Sequence, residues 1–144
     1  MNDLIIHKYG GSCYKNENDL ILIAENIKKS FLENQKLAVV ISAKFGVTNK
    51  LLEKISNQKP NANTDQILAS GEIDSVKLLT QKLNEIGVKA KAFDAYNTGI
   101  ITDRNFGYAK ILDIEPCNLL KEINDGVIPI IAGFQGLTNS NEIT

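Results

Sequence analysis

The spacing of hydrophobic residues changes several times along the chain, and each change predicts a different element. A short apolar run at residues 4–8 predicts a strand that ends at two glycines, and apolar residues at helical spacing follow from residue 17 to about 33. Asn16 or Asn18 is expected to cap this helix. The continuous apolar run 37–42 is typical of a strand covered on both faces. The chain therefore opens as a strand, a glycine turn, a helix and a second strand.

The remaining chain continues this alternation. The pattern predicts, in order, a helix through residue 55 with Thr48 as its cap, an exposed loop at 57–64, a long helix at 65–86 ending at Gly87, short strands at 89–95, 99–102 and 108–112, a helix from Pro116 to about 124, and a buried strand within 126–134. Strands that alternate with helices indicate an α/β domain with a mostly parallel sheet and helices on both faces. A chain of 144 residues can form one such domain with a hydrophobic core.

Composition narrows the possible partners. The formal net charge of -1 gives no general attraction to nucleic acid or to anionic membranes. No signal peptide is visible, and no apolar stretch approaches the ~20 residues of a membrane-spanning helix. Cys13 and Cys117 lie far apart and His7 is the only histidine, so neither a disulfide framework nor a zinc site is favoured. We expect a cytoplasmic protein with reduced thiols and no nucleic-acid or membrane partner.

The segment IIHKYGGSCY, residues 5–14, combines a strand end, a lysine and two glycines. Where a parallel strand ends and a helix begins, backbone N–H groups lack partners, and glycines let a phosphate approach them closely. Ser12 would add a hydroxyl donor and Lys8 a mobile positive charge. The alternative is a tight turn with a solvated lysine, since neither the P-loop nor the dinucleotide-binding pattern is present. The segment alone leaves both interpretations open.

Two further strand ends carry small and polar residues. Ser42 and Thr48 follow the strand in VVISAKFGVTNKLL, and Gly133 and Phe134 follow the strand in VIPIIAGFQG. Ligands of open α/β sheets gather beyond the carboxyl ends of the strands, so these ends could line one crevice. For Thr48, the role of helix cap is the better interpretation by composition alone.

The long helix contains two residues that do not suit its apolar pattern, Gly71 and Glu72. A glycine inside a helix costs about 1 kcal/mol relative to alanine, and a carboxylate beside apolar residues needs a cation or water. Such a local inconsistency suggests a functional position. The alternative is that Glu72 lies on the solvated face of the helix.

Other ionisable residues have an ordinary explanation. Asp103 and Arg104 lie between two short predicted strands, and we interpret them as turn residues. His7 should point to the face of its strand opposite to Lys8, and we assign it no catalytic role.

In series, these segments resemble the aspartate kinases of the amino acid kinase family. KYGGSC is similar to the family's K-F-G-G-T-S opening, VVISAKFGVTNKLL to its V-V-S-A-M-x-G-V-T-[ND]-x-L segment, and LASGEIDSVKLL to its [AS]-T-G-E-x-x-[ST]-x-x-L-L helix. GVKAKAFDAYNTGIITDRNFGYAKIL resembles the stretch with A-x-x-[GA]-I-I-T-D, and GVIPIIAGFQGLTNSNEIT the G-x-[IV]-P-V-V-A-G-F-Q-G end. The resemblance covers nearly the whole chain in the family's order.

This resemblance implies a three-layer α/β/α sandwich of the carbamate kinase-like type and an aspartate kinase that uses ATP and Mg²⁺. The reaction would transfer the γ-phosphoryl group to the side-chain carboxylate of L-aspartate, giving 4-phospho-L-aspartate for lysine, threonine and methionine synthesis. Magnesium would be held largely by ATP oxygens and water. By matched position, the nucleotide phosphates would contact Lys8 as the catalytic residue, together with Tyr9, Gly10, Gly11 and Ser12. The aspartate pocket would contain Ser42, Thr48, Glu72, Gly133 and Phe134, with Glu72 pairing the substrate ammonium group.

The chain also departs from the family. Ser12, Cys13 and Lys44 stand where its members have threonine, serine and usually methionine, and the 57–64 loop is short. The family continues beyond the matched region into T-L-G-R-G-G-S-D, an adenine-binding half and ACT domains. We therefore expect residues 1–144 to form an N-terminal lobe, a truncated kinase domain that is inactive in isolation and homo-oligomeric at full length. The alternative is a non-catalytic binding or assembly module of the same fold.

Overall fold

A parallel four-stranded sheet organises the protein, whose computed structural model describes residues 4–33 and 36–144. The elements follow in the order β1 (Ile5–Tyr9), a 3-10 turn (Gly11–Cys13), α1 (Glu17–Glu33), β2 (Leu37–Ile41), α2 (Val47–Ile55), α3 (Ala62–Glu85), β3 (Ala90–Phe93), α4 (Ala95–Thr98), β4 (Ile100–Thr102), β5 (Ile111–Ile114), α5 (Cys117–Asn124), β6 (Ile128–Ala132) and β7 (Leu137–Thr138). The main sheet has the order β1-β2-β6-β3, and all of its strands are parallel. Their carboxyl ends therefore lie along one edge.

The two central strands, β2 and β6, are the continuous apolar runs of the sequence, and both are almost wholly buried. Strand β1 forms one border of this sheet and alternates between half-buried and exposed residues. The predicted strand covered on both faces is thus confirmed at β2. A buried parallel strand has no solvated side, so it cannot carry the alternating polar pattern that β1 shows.

Helices cover both faces of the main sheet, as predicted. Helices α1 and α3 pack on one face and bury a core that includes Ile27, Val39, Leu79 and Ile130. Ala90 and Ala92 of β3 contact the same core, so the alternate residue Lys91 points to the other face, where it pairs with Glu122 of α5. Among the described helices, none combines the length and the apolar character needed to cross a membrane.

The predicted caps and boundaries were right for some helices and wrong for others. Asn16 caps α1, because its Oδ1 accepts a hydrogen bond of 3.1 Å from the Asp19 N–H. Thr48 does not cap α2: the helix begins at Val47 after Gly46, which has φ +80° and supplies no side chain. The left-handed turn at Gly46 sets the direction of the helix, and Thr48 already lies inside its first turn.

Helix α3 begins three residues earlier than predicted, and the preceding loop is correspondingly shorter. Asn61 Oδ1 accepts hydrogen bonds from the N–H groups of Asn63 and Thr64, while Thr64 Oγ1 accepts one from the Asn61 N–H. This reciprocal capping box extends the helix into a segment that composition alone marks as a loop. The other end agrees with the prediction, since Gly87 has φ +81° just beyond the helix.

A second, smaller sheet has the strand order β5-β4-β7. The predicted strand at 108–112 lies instead at Ile111–Ile114, because residues 103–110 form the connecting turn. Asp103 Oδ1 accepts hydrogen bonds from the N–H groups of Asn105 and Lys110. Arg104 forms a two-point ion pair with Glu142 near β7. The interpretation of Asp103 and Arg104 as turn residues is therefore confirmed, while α4 and β7 were not predicted.

Candidate functional site

Three neighbouring strand ends bring most of the predicted site residues to one edge of the main sheet. The backbone ladder continues one residue past the strands: the Ser42 N–H donates to the Tyr9 carbonyl at 3.0 Å, and the Gly133 N–H donates to the Ile41 carbonyl at 3.1 Å. The segments that follow β1, β2 and β6 are therefore adjacent. The strand ends that were expected to line one crevice are therefore neighbours along one edge of the sheet.

The turn after β1, residues 10–13, is suited to anion binding by its backbone. The Cys13 N–H donates to the Gly10 carbonyl, and the Tyr14 N–H donates to the Gly11 carbonyl, closing a short 3-10 turn. The first N–H groups of such a turn have no acceptor within it, so those of Gly11 and Ser12 remain available. A Cβ on Gly10 would meet nothing within 4 Å, which leaves open space beside the backbone.

Lys8 reaches this edge from the exposed face of β1. Ile5 and Tyr9 pack against the core under α1 and α3, so Lys8 points to the opposite face of the sheet. His7 alternates with Lys8 and lies on the face of Ile5 and Tyr9, as predicted. Its side chain is exposed, and within residues 4–33 and 36–144 it has no ion-pair partner. Lys8 therefore offers a positive charge that no carboxylate of the described chain neutralises.

Glu72 is buried, so the interpretation that it lies on the solvated face of α3 is wrong. The residue is 8% exposed, and its Oε1 accepts a hydrogen bond of 3.4 Å from the Ala43 N–H. Burial raises the pKa of the Glu72 carboxyl above its ordinary value, and the Ala43 hydrogen bond offsets part of this rise. No lysine or arginine of the described chain pairs with Glu72. A buried carboxylate without a cation is well suited to receive an ammonium group.

The hydroxyl groups of Ser42 and Thr48 are both without hydrogen-bond partners in the described part of the chain. Ser42 is half-buried directly after β2, and Thr48 is exposed on the first turn of α2. Because Thr48 is not needed as a cap, its hydroxyl is free to contact a ligand. The role of helix cap, which the sequence favoured for Thr48, is therefore wrong.

Phe134 has the most unusual conformation at this edge. Its φ is +60° and its side chain is 101% exposed. The left-handed region is uncommon for a bulky residue, and such strain concentrates at binding sites. A Cβ on Gly133 would lie 3.5 Å from the Ile41 carbonyl oxygen, an ordinary contact distance, so packing does not require a glycine there. An exposed aromatic ring on a strained turn is consistent with the predicted wall of a pocket.

Two residues at the site were missed by sequence reasoning. The Ala43 N–H is the partner of Glu72, and Gln135, which is buried, accepts a hydrogen bond of 3.0 Å from the Ala95 N–H through its Oε1. A backbone contact such as that of Ala43 leaves no signal in residue type. Gln135 did leave a usable signal, because it is a polar residue only three positions after the end of the buried strand β6.

No group of three or more histidine, cysteine, aspartate or glutamate side chains forms a metal-binding cluster within the described ranges. Cys13 and Cys117 are both exposed and unpaired.

Comparison with known proteins places these features in a family. The model of the amino acid kinase family matches residues 3–144. The aspartokinase of a Bacillus species is 33% identical over 144 residues, covering 98% of this chain and 35% of that protein. The chain thus spans about a third of the length of the curated relatives that it matches.

Solved structures agree with this assignment. The aspartate kinase of Synechocystis has a TM-score of 0.76 and 29% identity, covering 94% of this chain and 22% of that one. Aspartokinase III of E. coli, solved with aspartate and ADP, has a TM-score of 0.79 over 99% of this chain and 43% of its own. At 22% identity the latter shows the fold alone. The predicted fold class and the resemblance to aspartokinases are confirmed.

Proposed function

Because this chain belongs to the amino acid kinase family, we propose that it is the part of an aspartate kinase that holds L-aspartate and the phosphates of ATP. The reaction would give 4-phospho-L-aspartate and ADP and would serve amino-acid biosynthesis. The observation that carries this proposal is the convergence, at one sheet edge, of a glycine turn with an unpaired lysine and a buried carboxylate without a cation.

We assign the phosphates to the β1 side of the edge. The free N–H groups of Gly11 and Ser12 would donate to phosphate oxygens, and Gly10 would leave room for them. Lys8 would neutralise the charge that develops on the transferring group. Tyr9, half-buried at the end of β1, would support the turn through its backbone.

We assign the amino acid to the β2 and β6 side. Glu72 would bind the ammonium group of aspartate, and this pairing would compensate for the burial of its charge. The hydroxyl groups of Ser42 and Thr48 would donate to a carboxylate of the substrate, while Gly133 and Phe134 would form a wall of the pocket.

The chemistry requires little proton transfer. The side-chain carboxylate of aspartate is ionised at neutral pH, so it can attack the γ-phosphorus without a general base. A bond forms between the carboxylate oxygen and phosphorus, and the bond between phosphorus and the β–γ bridging oxygen breaks, which releases ADP. Positioning and charge neutralisation are the main contributions expected of the protein. Magnesium would be bound largely by nucleotide oxygens and water, the usual arrangement in phosphoryl transfer.

The test is formation of an acyl phosphate, trapped as the hydroxamate, by the protein expressed from its complete reading frame. Lys8→Ala should lower kcat by about 10²-fold or more, because it removes a charge from the transition state. Lys29→Ala, which removes an exposed lysine on α1, is the matched control and should leave the rate unchanged.

Two results would count against the proposal. A wild-type rate for Lys8→Ala would remove the lysine from the mechanism. If the wild-type protein binds nucleotide or aspartate but forms no hydroxamate, the alternative of a non-catalytic binding module is favoured. Homo-oligomerisation and a cytoplasmic location remain predictions.

A further inference from the structure

Ala43, the second residue after β2, is contacted by both sides of the candidate site. Its N–H donates to Glu72, and its side chain is 2% exposed. A Cβ placed on Gly11 would lie 3.2 Å from the Ala43 carbonyl oxygen, and a Cβ placed on Gly71 would lie 3.0 Å from the Ala43 Cβ. The turn after β1, residues 10–13, and helix α3 therefore pack against the same residue from different directions.

Gly71 lies inside α3, where glycine is unfavourable, and its surroundings explain why a larger residue is absent. Besides the Ala43 contact, a Cβ at this position would lie 3.1 Å from Val47 Cγ1 and 3.3 Å from Leu51 Cδ1. These distances are shorter than ordinary van der Waals contact. The Val47 and Leu51 side chains can adjust, but the Ala43 Cβ is fixed to its backbone, so α3 and the segment after β2 would have to separate by a few tenths of an ångström. The chain thus has a glycine, which is unfavourable in a helix interior, at the position where α3 packs against Ala43 and α2.

We propose that Gly71 is a positioning residue for substrate binding: the absence of a side chain lets α3 approach Ala43 closely enough for the Glu72 carboxylate to reach the Ala43 N–H at the substrate edge. This inference rests on the proposed function, because it takes the substrate ammonium group as the partner of Glu72. Gly71 itself contacts no substrate. It acts through the separation between α3 and the segment that follows β2.

A selective effect on aspartate follows from this geometry. Moving α3 outward would displace Glu72. Lys8 on β1 and the backbone of residues 10–12 in the turn after β1 would stay in place, because they do not belong to α3. Gly71→Ala should therefore raise the KM for aspartate by about tenfold or more, the loss expected when one charged hydrogen bond is weakened, with little change in the KM for ATP. A purely structural glycine would change Tm without this selectivity.

The kinetic test uses the protein from its complete reading frame and three further variants. Asp74→Ala, on the exposed face of the same helix, is the matched control and should keep the wild-type KM for aspartate. Ala43→Gly removes the shortest of the three contacts, while those to Val47 and Leu51 remain, so the double variant Ala43→Gly/Gly71→Ala should recover part of the KM for aspartate lost in Gly71→Ala. If Gly71→Ala does not fold, the double variant takes its place and should show a higher KM for aspartate than Ala43→Gly, with little change in the KM for ATP. No recovery relative to a folded Gly71→Ala overturns the proposal, and so does the absence of that selective rise where only the double variant folds.

A readout independent of catalysis separates this inference from the proposed function. The NMR chemical shift of the Ala43 amide should titrate with the Glu72 carboxyl in the wild-type protein and should lose most of this pH dependence in Gly71→Ala. An unchanged titration, or an unchanged KM for aspartate in Gly71→Ala, overturns the role of Gly71. If the wild-type protein does not bind aspartate, the proposed function fails, while the amide titration still tests whether Gly71 positions Glu72.

Discussion

The phosphate turn, residues 8–12, and the Glu72 side of the candidate site meet at one sheet edge but are built differently. The phosphate turn is contiguous in sequence, and Lys8 and Ser12 are exposed. The Glu72 side joins residues 29 positions apart, Ala43 and Glu72, and its carboxylate is buried. A contiguous turn depends mainly on backbone conformation, whereas a buried pair between elements depends on how closely those elements pack. The two sides should therefore respond differently to substitution.

Of the variants that compare how the two sides are built, Glu72→Gln on the buried side should have the largest effect. Glu72→Gln keeps the shape of the side chain and removes its charge, so the substrate ammonium group would lose its ionic partner. We expect kcat/KM for aspartate to fall by about 10²-fold, with a much smaller change in the KM for ATP. Glu25→Gln, at an exposed position on α1, is the control in the same hydroxamate assay. A parallel loss for both substrates would show that Glu72 supports the whole edge and not the aspartate pocket alone.

The same variant should change the pH dependence of stability in a defined direction. Burial raises the pKa of Glu72 above its unfolded value, so the folded state binds this proton more tightly than the unfolded state does. The stability linked to this proton is fully present below the unfolded pKa and is lost as pH rises through the folded pKa. Glu72→Gln should therefore gain Tm over the wild type at pH 8 and gain less at pH 4. An equal difference at both pH values would contradict an ionised, buried Glu72 in the free protein.

An intermediate effect is expected where the two sides touch. Gly10 has open space around its missing Cβ, whereas a Cβ on Gly11 would lie 3.2 Å from the Ala43 carbonyl oxygen. We expect Gly11→Ala to lower the free energy of unfolding by about 1–3 kcal/mol, as overpacking does, and to raise the KM for ATP. Gly10→Ala is the matched control and should leave Tm nearly unchanged. Equal denaturation midpoints for the two variants would mean that the turn and the segment after β2 are not in close contact.

The smallest expected effect concerns Phe134, whose φ of +60° glycine adopts readily. Phe134→Gly should raise the free energy of unfolding by up to about 1 kcal/mol if relief of strain exceeds the added entropy of the unfolded chain. The exposed ring contributes little to the fold, so the KM for aspartate is the parameter that should worsen. Chemical denaturation and steady-state kinetics measure the two effects. A stability loss would show that the added entropy of the unfolded chain outweighs the relief of strain at this position.

Much of the fold followed from short-range patterns, and the errors have physical causes. Helix α1, strand β2, and the end of α3 at Gly87 were all predictable, because each depends on residues within a few positions of each other, and the cap of α1 was narrowed to Asn16 or Asn18, of which the structure has Asn16. The start of α2 was not, because a left-handed glycine replaced the expected cap at Thr48. Strand β5 was displaced toward the C-terminus because side-chain hydrogen bonds of Asp103 lengthened the preceding turn.

The candidate site divides in the same way. The sequence alone determined the glycine turn with Lys8, the series of strand ends and the family resemblance, since these depend on local spacing and motif order. Tertiary structure decided that Glu72 is buried, that Thr48 is not a cap, and that Ala43 connects the two sides. Backbone patterns are set by neighbouring residues, whereas burial depends on a separation of a few tenths of an ångström between elements that are distant in sequence. At Gly71, that separation is set by the absence of a single Cβ atom.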